Sequence, residues 1–256
     1  MDTRFWGPSG WHLLHLIAAD TITAKRRAAV KEWINLLEFI LPCKYCRASF
    51  HDYLELQPLT DDILANPDTF SRWLYDIHNR VNGKLRGQGL ITTDDPSWSS
   101  VHARYTQQHR DICKGSPLLG WDFMTSIAYA TPTKESAKGT SLTLSYRLTA
   151  LKRWWKLIPA ILPCEPWRRA WAMALQRVGE PPLAAGREAV MRWMWRIEES
   201  VCAGLKCPTP HSSLPALNEE VAAFESGCAK DRKGKTCRTR KHRQRRQVLS
   251  RRRVRE

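Results

Sequence analysis

Residues 67–86 read Pro-Asp-Thr-Phe-Ser-Arg-Trp-Leu-Tyr-Asp-Ile-His-Asn-Arg-Val-Asn-Gly-Lys-Leu-Arg, and their spacing decides the fold class. Phe70, Trp73, Leu74, Ile77 and Val81 recur at three- and four-residue intervals, so a helix here buries one apolar stripe. Pro67 and Asp68 suit its first turn, and Gly87 and Gly89 end it. The same period runs upstream. Trp11, Leu14, His15 and Ala18 share a face over residues 5–20, and Val30, Trp33, Ile34, Leu37, Ile40 and Leu41 do so over 24–41. Pro42 marks a boundary, and a further helix spans 43–54. Residues 91–100, rich in Thr, Asp and Ser, read as a loop. No segment alternates with the two-residue period of a strand, so the expectation is an all-α bundle.

The second half repeats the first. Gly10-Trp11 matches Gly120-Trp121, and Ile40-Leu41-Pro42-Cys43 matches Ile161-Leu162-Pro163-Cys164. Arg47 and Phe50 match Arg168 and Trp171, and Arg72-Trp73, Ile77, Val81 and Leu85 match Arg192-Trp193, Ile197, Val201 and Leu205. Matches in the same order at near-constant spacing point to duplication. The expected organisation is one helical domain over 1–110, a degenerate helical copy over 111–210 and a flexible basic tail over 211–256.

Composition narrows the function classes. The 256 residues include 12 Trp, far above ordinary usage, which suits aromatic cores or a ring-shaped ligand. Lys and Arg outnumber Asp and Glu 14 to 2 over residues 228–256 but only 27 to 23 elsewhere, so the basic character belongs to the tail. No apolar run is long enough to span a bilayer, and residues 1–7 lack the plan of a signal peptide. A cytoplasmic or nuclear setting without membrane contact is therefore expected. In such a compartment the 8 Cys are not a disulfide framework by default, and a close pair is more often catalytic or metal-binding.

Cys43 and Cys46 form such a pair, in Leu-Pro-Cys-Lys-Tyr-Cys. Cysteines at i and i+3 on a helix's first turn face the same way, and the helix N-terminus favours a thiolate there. That arrangement suits thiol–disulfide exchange, where one sulfur is attacked and the other resolves. Zinc remains open, although a structural site wants four ligands and only His51 and His78 offer themselves. A buried pair without chemistry is the third reading.

Three motifs in order resemble the Erv/ALR flavin-linked sulfhydryl oxidases: Trp6, Gly7, Trp11 and His15; then Pro42, Cys43 and Cys46; then Trp73, Leu74, His78, Asn79, Val81, Asn82, Lys84 and Leu85. The resemblance covers about residues 5–105. It implies a helical bundle holding FAD, and usually a homodimer, that oxidises protein dithiols with dioxygen as acceptor and hydrogen peroxide as product. By resemblance Gly7, Pro8, Trp11 and His15 would meet the flavin nucleotide. His78, Asn79, Val81, Asn82, Lys84 and Leu85 would line its adenine and ribose-phosphate side, and Trp98 or Tyr105 would stack on the adenine. Cys46 would be the flavin-proximal sulfur and Cys43 the one that receives substrate electrons. Cys228/Cys237 or Cys202/Cys207 are candidates for a relay pair; Cys113 and Cys164 have no evident partner by spacing.

The chain departs from the pattern in two places. Many members carry a Cys where Tyr75 stands, paired just beyond the fourth helix, and Arg86-Gly87-Gln88 replaces the common Gly-Lys-Pro. In the second half Thr125, Trp167, Glu198, Glu199, Cys202 and Gly204 stand where His15, Cys46, His78, Asn79, Asn82 and Lys84 stand in the first. That copy is expected to hold no cofactor, leaving one redox centre and no metal. A fused second domain resembles oxidases of large DNA viruses, so host cytoplasm and virion enter as locations. The run Arg238–Arg255 lacks aromatic interleaving, so non-specific attraction to nucleic acid is expected of residues 228–256. A nucleic-acid-associated virion protein and a zinc-bound interaction module are the alternative functions.

Overall fold

A computed structural model describes residues 1–133 and 143–225, together with a two-residue ribbon pairing Lys230–Asp231 with Gly234–Lys235. Apart from that ribbon, the regular elements among the described residues are helices, so the fold is all-α. The first half comprises α1 (Thr3–Ala18), α2 (Ala24–Asn35), α3 (Leu37–Ile40), α4 (Lys44–Leu56), α5 (Asp61–Ala65), α6 (Pro67–Gly87) and α7 (Trp98–Ile112). Side chains cap several starts. Asp2 accepts from Arg4 N, Asn66 from Asp68 N and Ser97 from Ser100 N. The Ser97 cap starts α7 inside the stretch read as a loop. Tyr75 ties that start down: its hydroxyl donates to Pro96 O at 2.8 Å and its ring meets Trp98 edge-on. It thus ties α6 to the start of α7.

The second half comprises α8 (Trp121–Tyr129), α9 (Leu144–Ile161), α10 (Glu165–Val178), a 3-10 turn (Leu183–Ala185), α11 (Arg187–Leu205) and α12 (Leu214–Ala222). α12 corrects the expected boundary at residue 210. Leu217 and Val221 are fully buried, Phe224 stacks on Phe5 at 4.3 Å, and Asp2 N–H bonds Phe224 O at 2.9 Å. The folded body therefore includes residues 211–225. The short apolar stripe of Leu214, Leu217 and Val221, with Ser213 as its cap, was masked by the basic run behind it.

The two halves share individual bonds. Trp73 Nε1 donates to Gln57 O at 2.9 Å, and Trp193 Nε1 to Gly179 O at 2.8 Å. The Arg47 guanidinium bonds Leu41 O, and that of Arg168 bonds Leu162 O, in each case across six residues. The halves pack with α1 on α8 and with α2 and α3 on α9. Their contacts are reciprocal. A Cβ on Gly10 would lie 3.0 Å from the Phe123 ring, and one on Gly120 would lie 2.7 Å from Leu13. Arg26 Nε donates to Ala160 O at 2.8 Å, and its counterpart Arg147 donates to Phe39 O, the counterpart of Ala160, at 3.4 Å. Trp33 stacks on its own counterpart Trp154 at 4.9 Å.

A disulfide joins Cys113, just after α7, to Cys164, just before α10. This corrects the reading that neither has a partner: 51 residues separate them, and only the packing of the halves brings them together. One difference between the halves matters for the site. α10 lies close along α11, whereas α4 touches α6 at few points, which leaves a gap in the first half.

Candidate active site

That gap is a cavity of about 700 Å³ between α1, α4, α6, α7 and the loop after α6. Its position follows from the sequence of α4. Pro42 stops α3, and Cys43 then caps α4, its Sγ accepting from Cys46 N–H at 3.2 Å. Both cysteines line the cavity. Their environments differ. The hydrogen bond from Cys46 outweighs burial and holds the Cys43 thiol down to about 7. Cys46, which donates that bond and is half-buried, is pushed well above the usual thiol range by that bond and by desolvation, with Lys84 and Arg47 opposing the rise. Cys43 is 1% exposed.

α1 and α6 supply the facing wall. Trp11 stacks on His78 at 3.9 Å, and His15 Nε2 meets His78 Nδ1 at 3.0 Å. Burial, and then the mutual repulsion of the rings, holds His15 down to about 3; burial holds His78 down to about 4. Both are neutral at physiological pH, so one ring donates and the other accepts. Tyr105 stacks on His15 at 4.5 Å. Lys84 Nζ donates to Ser49 Oγ, bridging α6 and α4 across the opening. Asn82 and Arg86 both bond Asp95, at 2.8 and 2.6 Å, and so hold the loop after α6 against the cavity rim.

Of the residues singled out from sequence, Gly7, Pro8, Trp11, His78, Val81, Asn82, Lys84, Leu85 and Tyr105 line the cavity with the cysteines, while His15 sits directly behind His78. Asn79 is half-buried on α6 outside the lining. Trp98 also lies outside, packed on Tyr75 and His102. The sequence reading did not single out His12, Ser49, Tyr53 and Arg104, which line it too. Ser49 and Tyr53 follow Cys46 at intervals of three and four on one face of α4, a signal present in the sequence. Arg104 was hidden because the start of its helix read as loop. Cys202 and Cys207 sit together at the end of α11, and Cys228 and Cys237 lie outside the described residues, as does the run 238–255.

The second half fills the equivalent space. Trp167, in the place of Cys46, is 1% exposed and donates to Ser116 O at 2.9 Å. Trp171 packs on Trp121 and Trp155. Glu198, in the place of His78, is fully buried and bonded to His211 at 2.9 Å. No group of three or more His, Cys, Asp or Glu side chains able to hold a metal occurs among the described residues, and no helix among them is long and apolar enough to cross a membrane.

Comparison with known proteins places this geometry. The model of the Erv1 / Alr family matches residues 8–105. The FAD-linked sulfhydryl oxidase of African swine fever virus is 37% identical over 106 residues, 40% of this chain and 81% of the relative. A probable FAD-linked sulfhydryl oxidase of Acanthamoeba polyphaga mimivirus is 33% identical over 95 residues, 36% of this chain and 66% of the relative. The mitochondrial FAD-linked sulfhydryl oxidase of Saccharomyces cerevisiae is 33% identical over 89 residues, 33% of this chain and 45% of the relative. No solved structure matches. With its cysteine pair, paired histidines and cavity in the segment those relatives share, the chain belongs to the Erv1/Alr family.

Proposed function

We propose that this chain is an FAD-linked thiol oxidase that forms disulfides in substrate proteins and passes the electrons to dioxygen, giving hydrogen peroxide. One observation carries the reading: Cys43 and Cys46 open into the same cavity as Trp11, His78 and Lys84. The lining suits FAD. Trp11 and His78 offer flat faces. Lys84, Arg4 and Arg104 bring positive charge for a diphosphate. The indole N–H of Trp6, on the wall, is buried with no partner among the described residues, a donor left for a ligand. When bound there, FAD supplies a two-electron acceptor for a thiolate and a donor to dioxygen.

The chain's own part is the exchange. A substrate thiolate attacks Cys43 Sγ of the oxidised pair and expels Cys46 as thiolate. The second substrate thiol then displaces Cys43, leaving a substrate disulfide and a reduced pair. Cys43, with its depressed thiol pKa, is the better leaving group in that second step. Lys84 and Arg47 favour the Cys46 thiolate, and the neutral histidines keep an N–H available at the cavity wall. Since Cys43 is 1% exposed, whatever covers it must move aside for substrate. Cys228 and Cys237 are proposed as a relay to this pair. The support is that Phe224 is held against Asp2 and Phe5, beside Thr3 and Arg4 of the cavity lining.

The viral relatives support a viral source, and with it a site of action in host cytoplasm or virion. The attraction of residues 228–256 to polyanions is proposed from their charge. The test of the main reading is spectroscopic. Purified protein should show a flavin band, and Cys46→Ser should keep it while losing dithiol-dependent oxygen consumption. A folded but colourless protein with no flavin after denaturation rejects the reading.

A further inference from the structure

α6 and α11 end in the same kind of turn. In the first half Leu90 N–H bonds Leu85 O at 2.9 Å and Gly89 N–H bonds Arg86 O at 2.8 Å, with Gly89 left-handed at φ 63°. In the second half Cys207 N–H bonds Cys202 O at 3.0 Å and Lys206 N–H bonds Ala203 O at 3.2 Å, with Lys206 at φ 55°. This Schellman turn satisfies the last carbonyls of a helix and brings together the two side chains that flank it, ordinarily apolar ones. The first half places Leu85 and Leu90 at those positions; the second places Cys202 and Cys207.

Two features set the second turn apart. Its left-handed position holds Lys206, the only positive φ at a non-glycine among the described residues. A Cβ disfavours that conformation, so this turn needs more to hold it than the first. Its two cysteines are also free thiols in hydrogen-bonding contact. They differ in access: Cys207 is half-buried, whereas Cys202 is 1% exposed. Burial first, then the bond with Cys207 and the carboxylate of Glu198, pushes the Cys202 thiol up to about 12.

We propose that Cys202 and Cys207 are a disulfide site, closed by exchange with a small-molecule disulfide of the glutathione class, and that the bond staples the end of α11 to the turn that carries His211 onto Glu198. The Cys207 thiolate attacks one sulfur of the small disulfide and expels the other as thiolate. Cys202 then gives its proton to solvent, and its thiolate attacks Cys207 Sγ and expels the second small thiolate. Two electrons leave the pair, and the small disulfide becomes two thiols that take up two protons. Because the sulfurs are already in contact, the second step is intramolecular. Reversal is disfavoured. An incoming thiol reaches only Cys207, and it must expel Cys202, whose raised pKa makes it a poor leaving group. The bond is therefore a staple and not an exchange relay. Because the oxidant comes from solution, this chemistry is independent of the thiol oxidase reading.

The test uses the full chain, held without dioxygen in a glutathione buffer with the thiol in about tenfold excess over the disulfide. The sample is quenched with acid, alkylated and cut with trypsin. Trypsin cuts after Arg196, Lys206 and Lys230, so a closed pair links peptide 197–206 to peptide 207–230, and fragmentation places the bond on Cys207 or on Cys228. A link between Cys202 and Cys207 is expected in most molecules. Passing from fully reduced chain to chain in this buffer should also raise Tm by roughly 3–6 °C more in the unmodified protein than in Cys207→Ser. If Cys207→Ser does not fold, Cys202→Ala serves in the same comparison. Alkylation of both cysteines overturns the proposal, as does glutathione retained on Cys207 beside an alkylated Cys202, or a link from Cys202 to Cys228. A closed pair that adds nothing to Tm overturns the staple.

Discussion

Cys43 and Cys46 are three positions apart, yet one hydrogen bond separates their chemistry. Cys43 accepts from Cys46, which is the main reason its thiol is held down to about 7. In reduced protein, alkylation of Cys43 should therefore rise through about pH 7, and Cys46→Ala should move that midpoint upward. Peptide mass spectrometry of iodoacetamide-treated protein reads both, and an unmoved midpoint contradicts the assigned cause. His15 and His78 have the opposite linkage to acid. Their folded pKa values, about 3 and about 4, lie below the ordinary 6.5. As pH falls below 6.5 the unfolded chain binds protons that the folded rings refuse, so stability should fall until about pH 3 to 4. Tm measured from pH 7 down to 4 should drop, and His78→Gln should flatten the slope. Which residues carry this site was legible from motif spacing. Their burial was not, because it depends on α7 and the loop closing over them.

At the scale of elements, periodicity found the long helices and missed those whose signals are short. α6 was legible because five large apolar residues keep register over its length. α7 was not, because its start is written in Thr, Asp and Ser, and the Ser97 cap means nothing until Tyr75 binds Pro96. α12 was lost beside the basic run. The turn before it carries His211 onto Glu198 and Glu220. Burial opposes its charge, but the two carboxylates outweigh burial and raise it to about 9. A raised folded pKa gives stability that is fully present below 6.5 and lost as pH rises through 9. The loss should be on the order of 2–3 kcal/mol, read by denaturant unfolding at pH 6.5 and 9.5, and should vanish in His211→Gln. Gly120 is a position where backbone geometry demands glycine. Its φ is 98°, and a Cβ would lie 2.7 Å from Leu13. Gly120→Ala should cost about 1–3 kcal/mol, measured by the same unfolding.

For the whole molecule, the decisive contacts join residues far apart in the chain. Cys113 and Cys164 close a loop across 51 residues. Loss of that constraint in Cys113→Ser should cost about 4 kcal/mol on the chain-entropy estimate, seen as a lowered Tm with the flavin band retained. Cys164 is the counterpart of Cys43, so the same position lines the cavity in one half and is a staple in the other. Local spacing sufficed for the helical class and for the cysteine, tryptophan and histidine constellation, because these patterns repeat at fixed intervals along one helix. Only the tertiary structure decided that α4 stands off α6 to leave a cavity while α10 closes on α11. It also decided that Cys164 is bonded and that the two copies meet face to face. Those outcomes depend on side-chain volume and on contacts across more than a hundred residues, such as Arg26 with Ala160, and no local pattern encodes them.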